Sequence, residues 1–322
     1  MLVEFTKIRE DPLLAEGVAH VANFLEPEDR DRAAEEATAF YAEAQERGIF
    51  FTEAEASERG LLMQDAPVRR VDHENNLLYS DMGWFLESRS FEKLVRTISA
   101  YAGPDIDMFL ARLLITVPLC DLPQYIQKRY FPMEDQVHGS INRFVKDDFL
   151  RAFFFIHNPW HQDWVDMPYS DLRFLTTLLP VTNRRGEQAP LYILPKSAAV
   201  EPQAMPVPHE EDDETTTLMV GPGGPRSFEK RRILADPGDL LTWPARTFHK
   251  VEANRSNEPA INLRFNFAPS GARTGVRDPR SIQRVGRSAL SYLCETGPSA
   301  AGTPPFVAYE EDKLMVTREG YS

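Results

Sequence analysis

Cysteine is nearly absent from this chain: Cys120 and Cys294 are the whole complement in 322 residues. A disulfide framework is therefore excluded, and two reduced thiols are the simplest expectation. No uninterrupted apolar run is long enough to span a bilayer. The first residues mix Glu4, Lys7, Arg9, Glu10 and Asp11 with short apolar pieces, so they lack the apolar centre of a signal peptide. These features lead to the expectation of a cytoplasmic protein. Basic residues are in deficit, 36 against 49 acidic, and the resulting net charge of −13 repels nucleic-acid phosphates and anionic membranes. Neither nucleic acid nor a membrane is expected as a partner; a small molecule is. No Gly/Ser-rich linker or low-complexity tract divides the chain, so one domain over 1–322 is expected, and 42% hydrophobic content suffices for one large core.

What is present changes character along the chain. Within 1–106 the texture is helical. Arg30 to Arg47 is rich in Ala and Glu and follows the acidic Glu28-Asp29, and Phe91, Leu94, Val95 and Ile98 recur at helical spacing before Gly103-Pro104. From 107 to 270 the chain reads as short β-rich runs separated by Pro, Gly, Asn or Asp: Met108 to Leu119, Ala152 to Ile156, Leu172 to Val181, Leu191 to Leu194, Thr215 to Val220, Leu240 to Trp243, Thr247 to Glu252 and Ile261 to Phe267. No helix intervenes regularly, which disfavours a parallel βαβ sheet. The expected class is mainly β with flanking helices, built on a double-stranded β-helix (jelly roll, cupin-like) core. The segment 201–232, rich in Pro, Gly and acid, reads as an irregular insertion or a lid, and 271–322 as a helical extension.

The chemistry concentrates at Trp160-His161-Gln162-Asp163-Trp164. His161 and Asp163 stand two apart, so on extended backbone their side chains leave one face and can converge on one ion. The apolar Phe153-Phe154-Phe155-Ile156 would deliver them to a dry rim. His249 follows the turn Pro237-Gly238-Asp239 and, in a jelly roll, lies on a strand that can meet the first pair across the cavity. Two imidazoles and one carboxylate form the facial ligand set of non-haem Fe(II) oxygenases. Beyond them, Ile261, Leu263, Phe265 and Phe267 alternate with Asn262, Arg264 and Asn266, so Arg264 faces away from the core. Its guanidinium is suited to clamp a carboxylate by paired hydrogen bonds.

In these words the chain resembles the phytanoyl-CoA dioxygenase-like branch of the Fe(II)/2-oxoglutarate-dependent oxygenases. The words are Pro159-Trp160-His161-Gln162-Asp163, Leu191-Tyr192-Ile193-Leu194-Pro195-Lys196-Ser197, Pro237-Gly238-Asp239-Leu240-Leu241, and His249 through Asn254-Arg255-Ser256 to Arg264. The resemblance implies that His161, Asp163 and His249 bind Fe(II), and that Arg264 pairs with the far carboxylate of 2-oxoglutarate. Molecular oxygen would be the other cosubstrate, and hydroxylation of a small organic molecule, with release of succinate and carbon dioxide, the expected outcome. Two departures stand out. The interval from His249 to Arg264 is long for that family, with Arg255 as a rival clamp among turn residues. Val251 stands where relatives often carry a hydroxyl. Retention of Asp163 speaks against halogenation, for which related enzymes replace the carboxylate.

Other readings of the same residues remain. A cupin-like metal-dependent isomerase or hydrolase would use the same ligands, and a non-catalytic jelly-roll binding protein would carry a degenerate site. A zinc-protease helix at His157 and His161 is disfavoured, because Asn158 replaces the required glutamate and Pro159 breaks the helix. His209 with Glu210 to Glu214 reads as a solvated acidic loop. The arginines at 273, 277, 280, 284 and 287 read as a surface patch.

Overall fold

Alternation of apolar side chains decides which runs pair and which way they face. The computed structural model describes residues 17–63, 66, 77, 81–163, 174–184, 186–220, 224–270 and 283–284. In chain order its strands are β1 (Ala19–Val21), β2 (Ile106–Thr116), β3 (Ala152–Phe155), β4 (Asn158–His161), β5 (Leu175–Pro180), β6 (Leu191–Ile193), β7 (His209–Glu211), β8 (Thr215–Leu218), β9 (Arg226–Glu229), β10 (Arg231–Ile233), β11 (Leu240–Pro244), β12 (His249–Val251), β13 (Ala260–Pro269) and β14 (Gln283–Arg284).

Among the described residues, one sheet runs β1-β11-β5-β13-β2-β14, with β3 also paired to β2, and a second runs β10-β6-β12-β4. The β2–β3 pairing is parallel and the others antiparallel. From β4 onward the chain shuttles between sheets: β4 lies in the second, β5 in the first, β6 and β10 in the second, β11 in the first, β12 in the second, β13 in the first. That shuttling is jelly-roll topology, as the sequence predicts. It explains how residues far apart in the chain meet between the sheets.

Strand residues divide between two cores. Leu113, Ile115, Leu179, Leu263, Phe265 and Phe267 leave the large sheet on its outer side, into a core shared with the helices. Leu114, Leu178, Leu241 and Trp243 point between the sheets, where they meet Phe153, Phe155, Leu191 and Ile193. The helix Arg89–Ala102 starts at Ser88, whose Oγ accepts from Phe91 N at 3.1 Å, a cap that stabilises by about 1 kcal/mol, and Gly103 at φ 106° follows its last residue. Phe91, Leu94, Val95 and Ile98 form its buried stripe, and the Phe91 ring lies 5.8 Å from that of Phe265. The first long helix begins at Pro27, three residues before the predicted Arg30, because proline suits an opening turn whose N–H groups need no partner.

Two expectations are revised, and a third falls almost wholly outside the described residues. The segment 201–232 is not irregular: β7, β8 and β9 form a three-stranded antiparallel sheet, and β10 joins the second large sheet. Val207, Leu218 and Val220 from this insertion pack with Trp160, Leu194 and Phe248, so it covers the outer face of the second sheet. The N-terminal region supplies a strand as well as helices, since β1 pairs with β11 at the edge of the large sheet. The predicted C-terminal helical extension, with its arginines, lies outside the described residues except for Gln283–Arg284, which pair with Met108 and Asp107.

Candidate metal centre

His161 closes β4 and faces His249 directly across the β4–β12 pairing, so antiparallel register alone sets the two imidazoles side by side. Their ring centroids are 4.2 Å apart. Trp160, the preceding residue, points to the opposite face, where its Nε1 donates to Glu211 Oε2 at 3.0 Å. Trp160 therefore lies outside the space between the sheets, Trp243 lies within it, and Trp164 is not among the described residues.

Both histidines are held by the backbone two residues before them. His161 Nδ1 lies 2.7 Å from Pro159 O, and His249 Nδ1 lies 3.0 Å from Thr247 O. A carbonyl only accepts, so each Nδ1 carries the proton and each Nε2 presents a lone pair. That is the tautomer a metal requires, fixed by the hydrogen bond at the other ring nitrogen. Asn158 Nδ2 donates to His161 Nε2 at 3.0 Å.

Asp163 is fully buried, and its backbone N–H donates to Ala245 O at 2.9 Å. One carboxylate oxygen, Oδ2, accepts from Thr176 Oγ1 at 2.5 Å and from Trp243 Nε1 at 3.1 Å. The other, Oδ1, accepts from Arg264 Nη2 at 2.6 Å and lies 3.7 Å from His249 Nε2. Burial by itself would raise the Asp163 pKa, but Arg264, then His249 and His161, with the Thr176 hydrogen bond, outweigh it and hold the group ionised. Burial also pushes His249 down to about 4, with His161 adding to the effect, so this imidazole is neutral at physiological pH.

One donor atom each from His161, Asp163 and His249 lies within 4.8 Å of the others. Ligands at about 2.1 Å from one ion, at right angles, stand about 3 Å apart, so only a small contraction separates this arrangement from a coordination sphere. Two imidazoles, each with Nδ1 engaged by a backbone carbonyl, and one anchored carboxylate match a divalent transition metal of borderline softness.

The cavity between the sheets opens from this cluster. Leu114, Phe153, Phe155, Leu178, Leu191 and Val251 form its apolar walls, and His249, Asn158, Arg264 and Arg184 its polar lining. Apolar walls with a few convergent polar groups are the character of a small-molecule site. Arg264 reaches this cavity from the polar face of β13, opposite the Phe265 face. Arg255 is exposed in the β12–β13 connection.

Two contributors escaped the sequence reading. Thr176 sits in an apolar strand, and nothing in a Leu-Thr-Thr-Leu run tells which threonine meets a carboxylate. Arg184 stands beside Arg185 between two strands and reads as a surface turn, yet it is 2% exposed. His157 is buried near the Tyr130 ring, 6.2 Å away, at the β3–β4 junction. The Pro237-Gly238-Asp239 turn is architectural: Asp239 accepts from Asn23 N at 2.9 Å and Asp236 N at 3.0 Å and pairs with His20 at 2.8 Å.

No protein-family model matches the chain, and no curated protein matches it. Solved structures do show similarity. SnoN, a non-heme alpha ketoglutarate dependent epimerase from nogalamycin biosynthesis, is 16% identical over 85% of this chain and 88% of that one, with a TM-score of 0.48. ThoJ, a non-heme monooxygenase, is 11% identical over 88% and 83%, with a TM-score of 0.49. SnoK, a non-heme alpha ketoglutarate dependent carbocyclase, is 15% identical over 96% and 95%, with a TM-score of 0.46.

Proposed function

We propose that this protein is an Fe(II)- and 2-oxoglutarate-dependent dioxygenase that hydroxylates a small organic molecule in the cavity between its two sheets. The observation that carries the reading is the convergence of His161, Asp163 and His249 from two strands and a loop onto one buried point, with both Nε2 lone pairs free of their protons and a guanidinium in the same cavity. A cupin-like isomerase or hydrolase would need the metal ligands but not a further cavity guanidinium left to take a carboxylate.

Each group then has a defined task. The histidines and Asp163 would hold Fe(II). Thr176 and Trp243 keep Asp163 Oδ2 occupied, so that Oδ1 is the oxygen turned toward His249. Cationic side chains in the cavity attract the dianionic cosubstrate into a strongly acidic protein. The apolar walls exclude water and position the substrate carbon to be oxidised. Iron, 2-oxoglutarate and oxygen together supply the oxidising power, with succinate and carbon dioxide as coproducts. Retention of the carboxylate favours hydroxylation over halogenation. A cytoplasmic location, with neither nucleic acid nor membrane as partner, belongs to the same reading; no helix among the described residues is long and apolar enough to cross a membrane.

Anaerobic addition of Fe(II) and then 2-oxoglutarate to the wild-type protein should develop a visible metal-to-ligand charge-transfer band. His249→Ala should not develop it. Failure of the wild-type protein to do so would refute the assignment.

A further inference from the structure

Two arginines line the cavity, and they are in opposite states. Arg264 has found an anion, Asp163. Arg184 has none: its side chain is buried, and Nε and Nη1 lack hydrogen-bond partners among the described residues. Burial lowers its pKa to about 10, with no compensating carboxylate among the described residues. A buried cation of this kind is costly, and folded chains retain such groups chiefly where a ligand completes them.

The position is also specific. Arg184 follows β5, and its backbone N–H donates to Ala235 O at 3.1 Å, just beyond β10. Ile233 of β10 pairs with Leu191, and Leu191 pairs with Val251 at the far end of β12 from His249. Two residues of extended strand, about 7 Å, separate those ends. Arg184 therefore belongs to the end of the cavity away from the metal ligands, with Leu191 and Val251 between. A short diacid chelating a metal at one end would carry its second carboxylate toward the other. Asp163 and Arg264 already pair with each other, so of the two arginines lining the cavity Arg184 is the one left to receive a carboxylate.

We infer that Arg184, rather than Arg264, receives the far carboxylate of 2-oxoglutarate, while Arg264 remains the partner of Asp163. The inference rests on the proposed function and names the residue that fixes its cosubstrate. Val251, which lacks the hydroxyl that relatives often place there, then serves as an apolar spacer along the carbon chain.

The test compares two 2-oxo acids on the anaerobic Fe(II)-loaded protein, read by calorimetry and by the charge-transfer band. Pyruvate chelates through the same carboxylate and keto group but lacks the second carboxylate. Arg184→Gln should weaken 2-oxoglutarate binding on the order of 100-fold or more, the usual consequence of removing one member of a buried charge pair, and change pyruvate binding little. Arg184→Lys, which keeps the charge and loses the fork, should recover part of the affinity. In the metal-free protein Arg184→Met should melt higher than wild type, because it removes an uncompensated buried charge; a merely structural arginine would give the reverse. Undiminished 2-oxoglutarate binding in Arg184→Gln with loss in Arg264→Gln would overturn the inference and leave the proposed function standing. Failure of the wild-type protein to bind either acid would overturn both.

Discussion

Replacing Asp163 by alanine tests the centre without any metal. In the wild-type protein its buried carboxylate accepts from Arg264, Thr176 and Trp243. Alanine leaves a guanidinium that is only 14% exposed without its anion, and two further donors unpaired. Breaking a buried ion pair from one side costs about 3–5 kcal/mol, against a typical total stability of roughly 5–15 kcal/mol. At about 2 °C per kcal/mol, the low end for a chain of this length, the midpoint should fall by roughly 6–10 °C. The variant should remain folded but weakened. The double variant Asp163→Ala/Arg264→Met removes both charges and should recover most of the loss, because a buried pair exchanged for apolar volume is often neutral. Scanning calorimetry of chelator-treated protein reads wild type and both variants. A single variant that melts within about 1 °C of wild type, or a double variant no better than the single, would show that the Asp163–Arg264 contact does not hold the site together as described. Neither variant should bind Fe(II).

Acid should destabilise the metal-free protein through its buried imidazoles. Burial pushes both His157 and His249 down to about 4 from an unfolded value of 6.5. Between those values the unfolded chain holds protons that the native chain refuses, so stability is complete above pH 6.5 and falls as the pH approaches 4, by about 3 kcal/mol for His157. Urea midpoints across that range should show the slope, and His157→Leu should remove about half of it; a flat profile contradicts the assignment. Glu211→Ala addresses the insertion. Glu211 Oε1 accepts from Lys250 Nζ at 2.7 Å and Oε2 from Trp160, both on the outer face of the second sheet. Its loss should lower stability by about 1–2 kcal/mol and leave 2-oxoglutarate affinity unchanged, whereas a lid would move the affinity.

The parts of this structure that could be read from the chain are those written in local periodicity. The alternation over Ile261 to Phe267 placed Arg264 on the face away from the helical core, and the two-residue spacing of His161 and Asp163, with His249 on a distant strand, named the cluster the topology assembles. What could not be read depends on partners elsewhere in space. The acidic run Glu210 to Glu214 has the composition of a solvated loop, yet Glu211 is tied to Lys250 and Trp160, and Asp212 accepts from Glu214 N and Thr215 N to make the β7–β8 turn. Ala19–Val21 is too short to announce itself and becomes a strand because β11 offers it an edge. Arg184 shows the limit most clearly: a charged residue in a connection looks solvated until tertiary structure closes over it.

The three ligands differ in how they are steadied, and this bears on how the protein can change. Each imidazole leans on a carbonyl two positions back along the chain, a brace that no side-chain replacement elsewhere removes. The carboxylate is gripped by side chains from β5, β11 and β13, so sequence drift in any of three separate places unseats it. Lineages descended from such a scaffold would be expected to lose or exchange the acidic ligand first, keeping the histidine pair as the durable half of the centre.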